Sequence, residues 1–201
     1  MLPGIDYNVI GSAQFLYKKC GFINVETPWV VGEEAMVTAP NPSKVTLISG
    51  HPYKALVGSA EQGFLQHIID GTIEDGDYQS TGPCFRQEDF YNDLTKPYFL
   101  KTELISINPT NKLIKLDAII TAARRVLTRL AAILAADSSI AESINVKDME
   151  DGSYDIQLGE IELGSYGIRK WKDTTWVYGT GVAEPRLSNA VARWKKGQCH
   201  V

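Results

Sequence analysis

Hydrophobic positions recur along this chain with two periods, and the element changes where the period does. Val9, Ile10, Ala13, Leu16 and Tyr17 share one face at helical spacing. Asp6 stands where a capping side chain belongs and Gly21 closes the run, so residues 7–19 are expected to form an amphipathic helix. Phe22-Ile23-Asn24-Val25-Glu26 then reads as a strand that stops at Thr27-Pro28. Residues 32–50 are polar and punctuated by Pro40 and Pro42, which predicts loop with short strands. Another strand begins at Ala55-Leu56-Val57, a helix covers 61–69, and residues 78–87 and 98–107 read as antiparallel partners. Pro109 and Thr110 open the clearest helix, in which Leu113, Leu116, Ile120, Ala123, Leu127, Leu130 and Leu134 share a face. Arg124, Arg125, Thr128 and Arg129 lie mostly off that face, which points to packing against a sheet. After a polar turn at 148–153, residues 154–158 and 161–163 form a hairpin pattern with Gly159 near its turn. Trp176-Val177-Tyr178 reads as a strand entering a turn at Gly179 and Gly181, followed by a closing helix over 184–195. The sum is an α+β fold, a mostly antiparallel sheet flanked by helices.

Composition narrows the classes. The 201 residues suit one domain spanning 1–201, and 44% hydrophobic with 22% charged residues is ordinary for a globular protein. A formal charge of −4 argues against wholesale electrostatic wrapping of nucleic acid. The basic run Arg193-Trp194-Lys195-Lys196 fits the C-terminal end of a helix, where cations complement the dipole. Cys20, Cys84 and Cys199 lie far apart without metal-ligand spacing, which suggests a reducing compartment. No secretory leader or membrane-length apolar run is present, so a cytoplasmic protein is expected.

Chemistry concentrates at two arginines. Arg86 lies in Cys84-Phe85-Arg86-Gln87-Glu88-Asp89 and Arg186 in Gly179-Thr180-Gly181-Val182-Ala183-Glu184-Pro185-Arg186-Leu187. Each offers the planar, paired N–H groups that hold a phosphate, and two of them suggest a polyphosphate substrate. Glu88 alternates with Arg86 and, on a strand, would share its face. Asp155 and Glu162 flank the hairpin turn and supply hard oxygen ligands of the kind magnesium takes, with Glu160 as the competing glutamate if the register shifts. Glu61, at a helix start, is either a dipole complement or a carboxylate for a substrate amine.

These segments, in order, resemble the catalytic core of a class II aminoacyl-tRNA synthetase, over about 14–192. KKCGFINVETPWV resembles the first motif of that class, CFRQED followed by KPYFLKTEL the second, and GTGVAEPRL the third. The resemblance implies an ATP-dependent ligase that forms an aminoacyl-adenylate. It places Arg86 at the α-phosphate and the amino-acid carboxylate, and Arg186 at the γ-phosphate of a bent ATP and one face of adenine. Phe99 would stack on the other face, and Glu88 would lie near the adenine amino group. Asp155 and Glu162 would bind Mg2+. Gly58-Ser59-Ala60-Glu61 resembles the loop whose glutamate takes the α-ammonium. YDIQLGEIELGSYGIR is similar to a segment of aspartyl- and asparaginyl-tRNA synthetases that closes on an arginine reading the substrate side chain, here Arg169. Beside Lys170 and Lys172, Arg169 reads equally as part of a basic surface run.

The chain departs from the pattern in places. Leu94 and Thr95 stand where an arginine or histidine usually reaches the terminal phosphates, with Lys96 as a substitute, and Pro185 before Arg186 reads closer to the seryl or prolyl branch. The 201 residues are expected to form the catalytic domain alone, without an anticodon-binding domain. Three functions are therefore carried forward. The first is amino-acid activation with transfer to a tRNA acceptor end. The second is an asparagine synthetase-type ligase using aspartate, ATP and ammonia, and the third a non-catalytic nucleotide-, RNA- or protein-binding paralogue. A homodimer through residues 14–30 is expected, because the first motif lies at the subunit interface in this class.

Overall fold

A computed structural model describes residues 4–39 and 44–197. Pro40, Pro42 and Cys199 lie outside the described residues. Helix α1 (Tyr7–Lys19) starts where Asp6 accepts the Asn8 and Val9 N–H groups, and it buries Val9, Ile10, Ala13 and Tyr17. A two-residue strand β1 (Ile23–Asn24) is shorter than expected, and it joins β5 (Gly76–Phe85) in parallel. β2 (Val30–Gly32), β3 (Thr46–Ile48) and β4 (His51–Leu56) form a small separate sheet in the order β2-β4-β3, with a 3-10 turn at Glu33–Thr38 beside it. Helix α2 (Ala60–Ile69) follows, capped by Ser59 in a capping box with Gln62.

The large sheet is completed by β6 (Tyr98–Ile107), β7 (Ile144–Asp148), β8 (Tyr154–Leu158), β9 (Ile161–Trp171) and β10 (Thr174–Glu184). Its order is β1-β5-β6-β10-β9-β8-β7, antiparallel except at β1. Helix α3 (Lys112–Ala135) joins β6 to a 3-10 turn before β7, and α4 (Arg186–Lys195) follows β10. The α+β architecture expected from the sequence is thus the one observed. Alternation along the central strands divides the interior in two. Leu104, Val177 and Val182 point to the side covered by α1, α3 and α4, whereas Ile105, Ile107 and Trp176 point to the side where Phe64 and Leu65 of α2 pack. Covering this second face over only part of its length leaves room for a cleft.

The sequence pattern misled at four places. Gly179 and Gly181 do not make a turn; they lie within β10, whose pairing with β6 continues past them with a bulge between Thr180 and Val182. A side chain at Gly179 would lie 2.5 Å from the Tyr166 ring, and one at Gly181 2.9 Å from both Thr102 O and the Tyr17 ring. These glycines admit two buried tyrosines to the sheet. Tyr17 donates to Gly181 O at 2.7 Å and Tyr166 donates to Thr180 O. Leu113, in the first turn of α3, is exposed, and Ile119 and Val126 take places on the buried stripe instead. β7 carried no clear alternation and was not expected. Finally, β5 ends at Phe85, so Arg86 and Glu88 are not on a strand.

Candidate functional site

The chain leaves β5 at Arg86 under tight control. Phe85 N–H donates to Val57 O at 2.8 Å and Arg86 N–H to Pro97 O at 3.0 Å. The Arg86 side chain is directed by its Nε, which donates to Gly58 O at 3.0 Å, and its guanidinium carbon stands 5.2 Å from the centre of the Phe99 ring. Phe99, Lys101 and Glu103 alternate along β6 and so share a face. Arg186 is the first residue of α4, and its Nη1 donates to Glu162 O at 3.0 Å while lying 3.9 Å from the Glu162 carboxylate. Buried Glu184 fixes the start of that helix by accepting Ser188 N–H at 3.0 Å, Ser188 Oγ–H at 2.8 Å and Asp6 N–H at 3.4 Å.

These elements border a cleft open to solvent, whose walls include Arg86, Glu88, Phe99, Lys101, Glu162 and Arg186. Lys96, Leu94 and Thr95 also line it. Glu88 reaches it despite lying beyond the strand, and pairs with Lys44 at 2.8 Å. Four cationic side chains, Arg86, Lys96, Lys101 and Arg186, thus border one cavity with an aromatic ring, a setting suited to a polyanion carrying a flat group. Lys101 was missed in the sequence, although its alternation with Phe99 could have revealed it. Buried, it pairs with Glu103 at 2.7 Å and donates to Ser59 Oγ at 3.3 Å, while Ser59 also bonds Glu103. Beside them, burial pushes the Cys84 thiol up to about 12, which leaves it unreactive.

The hairpin register places Glu162 opposite Gln157 and Asp155 opposite Ser165, with a shift between Ile156 and Gln157. Ile156 and Leu158 point into the core, so Asp155 and Gln157 lie on the opposite face. Burial, then the nearby Glu162 charge, raises the Asp155 carboxyl above its usual range. Glu162 lines the cleft, and Asp155, outside that lining, is close enough to feel its charge, so the two carboxylates are a donor set that a hard cation would relieve. Among the described residues, no three His, Cys, Asp or Glu side chains form a complete metal cage, so further ligands would come from substrate phosphates and water. Glu160, the competing glutamate, sits in the tight turn.

Glu61 and Arg169, 108 residues apart in sequence, are brought together. Glu61 is buried in the first turn of α2, where one carboxylate oxygen accepts Trp176 Nε1–H at 2.8 Å and the other bonds Arg169 Nη1. Arg169 also donates to Thr38 O at 3.3 Å, and its guanidinium lies 4.3 Å from the centre of the Tyr178 ring. Burial raises the Glu61 carboxyl to about 7, against the lowering influence of Arg169. The basic run at the C-terminus is partly spent on structure, since Arg193 forms paired bonds to Asp93 at 2.6 and 2.9 Å.

No protein-family model and no curated protein matches the sequence. Solved structures do. Pyrrolysyl-tRNA synthetase from Desulfitobacterium hafniense superposes with a TM-score of 0.69 at 16% identity, over 96% of this chain and 70% of that one. The fold is that of a class II aminoacyl-tRNA synthetase core. Seryl-tRNA synthetase from Pyrococcus horikoshii, complexed with ATP, gives 0.67 at 17% identity over 92% of this chain and 49% of that one. The cytoplasmic serine-tRNA ligase from Naegleria fowleri, in complex with AMP, gives 0.64 at 15% over 90% and 46%. The chain therefore spans about half the length of these seryl enzymes. No helix among the described residues is long and apolar enough to cross a membrane.

Proposed function

We propose that this chain activates an amino acid with ATP, forming an aminoacyl-adenylate and pyrophosphate. The observation that carries the reading is the convergence of Arg86, Lys101, Arg186 and the Phe99 ring on one cleft. In the reaction a carboxylate oxygen of the amino acid bonds to the α-phosphorus, the bond from that phosphorus to the bridging oxygen breaks, and pyrophosphate leaves. Both reactants are anionic, so the protein's task is to bring them together and offset their repulsion. Arg86 would span the α-phosphate and the attacking carboxylate. Arg186 would hold the far phosphate and one face of adenine, with Phe99 on the other face and Glu88 at the exocyclic amine. Lys96 replaces the basic side chain missing at Leu94. Asp155 and Glu162 would hold Mg2+, which supplies charge neutralisation on the phosphates when bound.

Glu61 would take the substrate ammonium, and the likeness of residues 154–169 to aspartyl and asparaginyl enzymes makes an acidic or amide side chain, near Arg169, the first to test. The recipient of the acyl group would be a tRNA acceptor end. Exposed Phe15, Ile23, Trp29 and Val30 support a homodimer through residues 14–30, and a monomer in sedimentation at micromolar concentration would contradict it. ATP–pyrophosphate exchange across a panel of amino acids tests the activation. The same panel run with ammonia and aspartate, read by mass spectrometry for asparagine, separates an amide ligase from a tRNA-charging one.

A further inference from the structure

The Glu61–Arg169 pair presents a difficulty for amino-acid activation that the fold itself answers. A carboxylate that receives an ammonium must carry charge, yet Glu61 is buried and shares its surroundings with a second buried acid, Glu103. Both influences favour the protonated form. Against them stand Arg169 from β9, the Trp176 indole N–H from β10, and Lys101 from β6. Lys101 is already paired with Glu103 at 2.7 Å, so the larger opposing charge is Arg169. The guanidinium is itself held in place. Thr38 O takes one N–H, the Tyr178 ring lies beneath the plane, and Arg169 pairs across the sheet with Trp176, so both donors to Glu61 come from one rung.

We propose that Arg169 is a positioning residue, which keeps the Glu61 carboxylate ionised and fixed in direction so that it can receive the α-ammonium of the amino-acid substrate. The assignment rests on the activation reading above and adds to it a role for Arg169 exerted through Glu61. It makes amine capture dependent on pH near neutrality, because burial leaves Glu61 close to its titration point even with Arg169 present.

The Trp176 indole supplies a reporter that needs no ligand, since its N–H bonds Glu61 directly at 2.8 Å. In a protein labelled with 15N at the indole nitrogens and assigned with W176F, the Trp176 signal is followed from about pH 5 to pH 9. It should titrate near pH 7 in the native protein, move up by at least about one pH unit in R169M and R169Q, stay near the native value in R169K, and stop titrating in E61Q. In exchange assays R169M should raise KM for the amino acid about fivefold at pH 7, because a carboxyl titrating near 7 is about half ionised there and one titrating a pH unit higher only about one-tenth ionised. That rise should recover as pH increases, with KM for ATP unchanged and R169K close to native. Equal midpoints in native, R169M and R169Q proteins, or a Trp176 titration that survives E61Q, would overturn the proposal. So would a loss of amino-acid discrimination in R169M with an unmoved pH profile, because Arg169 would then act by contact with the substrate. Thermal melts identify an unfolded variant, and R169Q and R169K carry the test if R169M fails to fold. Absence of exchange in the native protein would count against activation, while the indole titration would still decide the coupling of Arg169 to Glu61.

Discussion

Arg86→Ala deletes a guanidinium whose native contacts and proposed substrate contacts have different energies, and the two can be measured separately. In the free protein the loss is one bond to Gly58 O and the approach to Phe99. A net hydrogen bond is worth about 1 kcal/mol and a partly exposed cation–ring contact about 0.5–1 kcal/mol, so stability should fall by about 2 kcal/mol. For a chain of this size that corresponds to a melting temperature about 4–8 °C lower. In the reaction the same group would contribute two charge-assisted bonds, each about 1.5–3 kcal/mol, spanning phosphate and carboxylate. Their loss predicts a fall in kcat/KM for exchange of about a hundredfold to ten-thousandfold, at about 1.4 kcal/mol per decade. Arg86→Lys should keep most of the stability and recover little of the rate, because an ammonium cannot bridge two acceptors in the same plane. Melting by circular dichroism and exchange at saturating amino acid provide the two readings. An Arg86→Ala protein that melts as expected and loses less than about threefold in kcat/KM would refute the placement of Arg86 at the reacting phosphate.

Gly179→Ala should destabilise the fold by about 1–3 kcal/mol, read from denaturant midpoints, because the new methyl meets the buried Tyr166 ring at 2.5 Å and Ile119 at 2.8 Å. Glu61 should impose a pH dependence on stability. Its carboxyl is raised in the fold from 4.5 to about 7, so the folded state binds the proton more tightly. That stabilisation is complete below about pH 4.5 and is lost as pH rises through about 7, amounting to about 3 kcal/mol at about 1.4 kcal/mol per pH unit. The difference between native and Glu61→Gln stabilities should follow this curve, and a difference independent of pH would contradict it. Asp155→Asn with Glu162→Gln should raise the magnesium concentration giving half-maximal exchange at least about tenfold, and an unchanged magnesium dependence would remove the pair as ligands.

Several residues that line the cleft could be picked out before the structure, because each lies in a local motif. Arg86 and Glu88 lie within three positions, Phe99 falls on the partner strand expected over 98–107, and Arg186 falls near the start of the closing helix. What could not be read depends on distant chain. The glycine signal at 179 and 181 resembles a turn unless Tyr17 and Tyr166 are known to pack there, and those rings arrive from α1 and β9. The strand placement of Glu88 failed because Pro97, the next residue opposite the strand end, accepts the Arg86 N–H but has no N–H to return, so the ladder stops there, although both side chains still reach the cleft. Glu61 and Arg169 were each read as separate substrate contacts. Their pairing across 108 residues is a product of topology, since β9 and β10 form one rung beneath the start of α2.

Amino-acid-dependent exchange of labelled pyrophosphate into ATP, measured on the unaltered chain with magnesium and a full amino-acid panel, tests the central claim most directly. The account predicts exchange that one or a few amino acids stimulate and that Arg86→Ala lowers by at least about a hundredfold. ATP binding without exchange for any amino acid would contradict it.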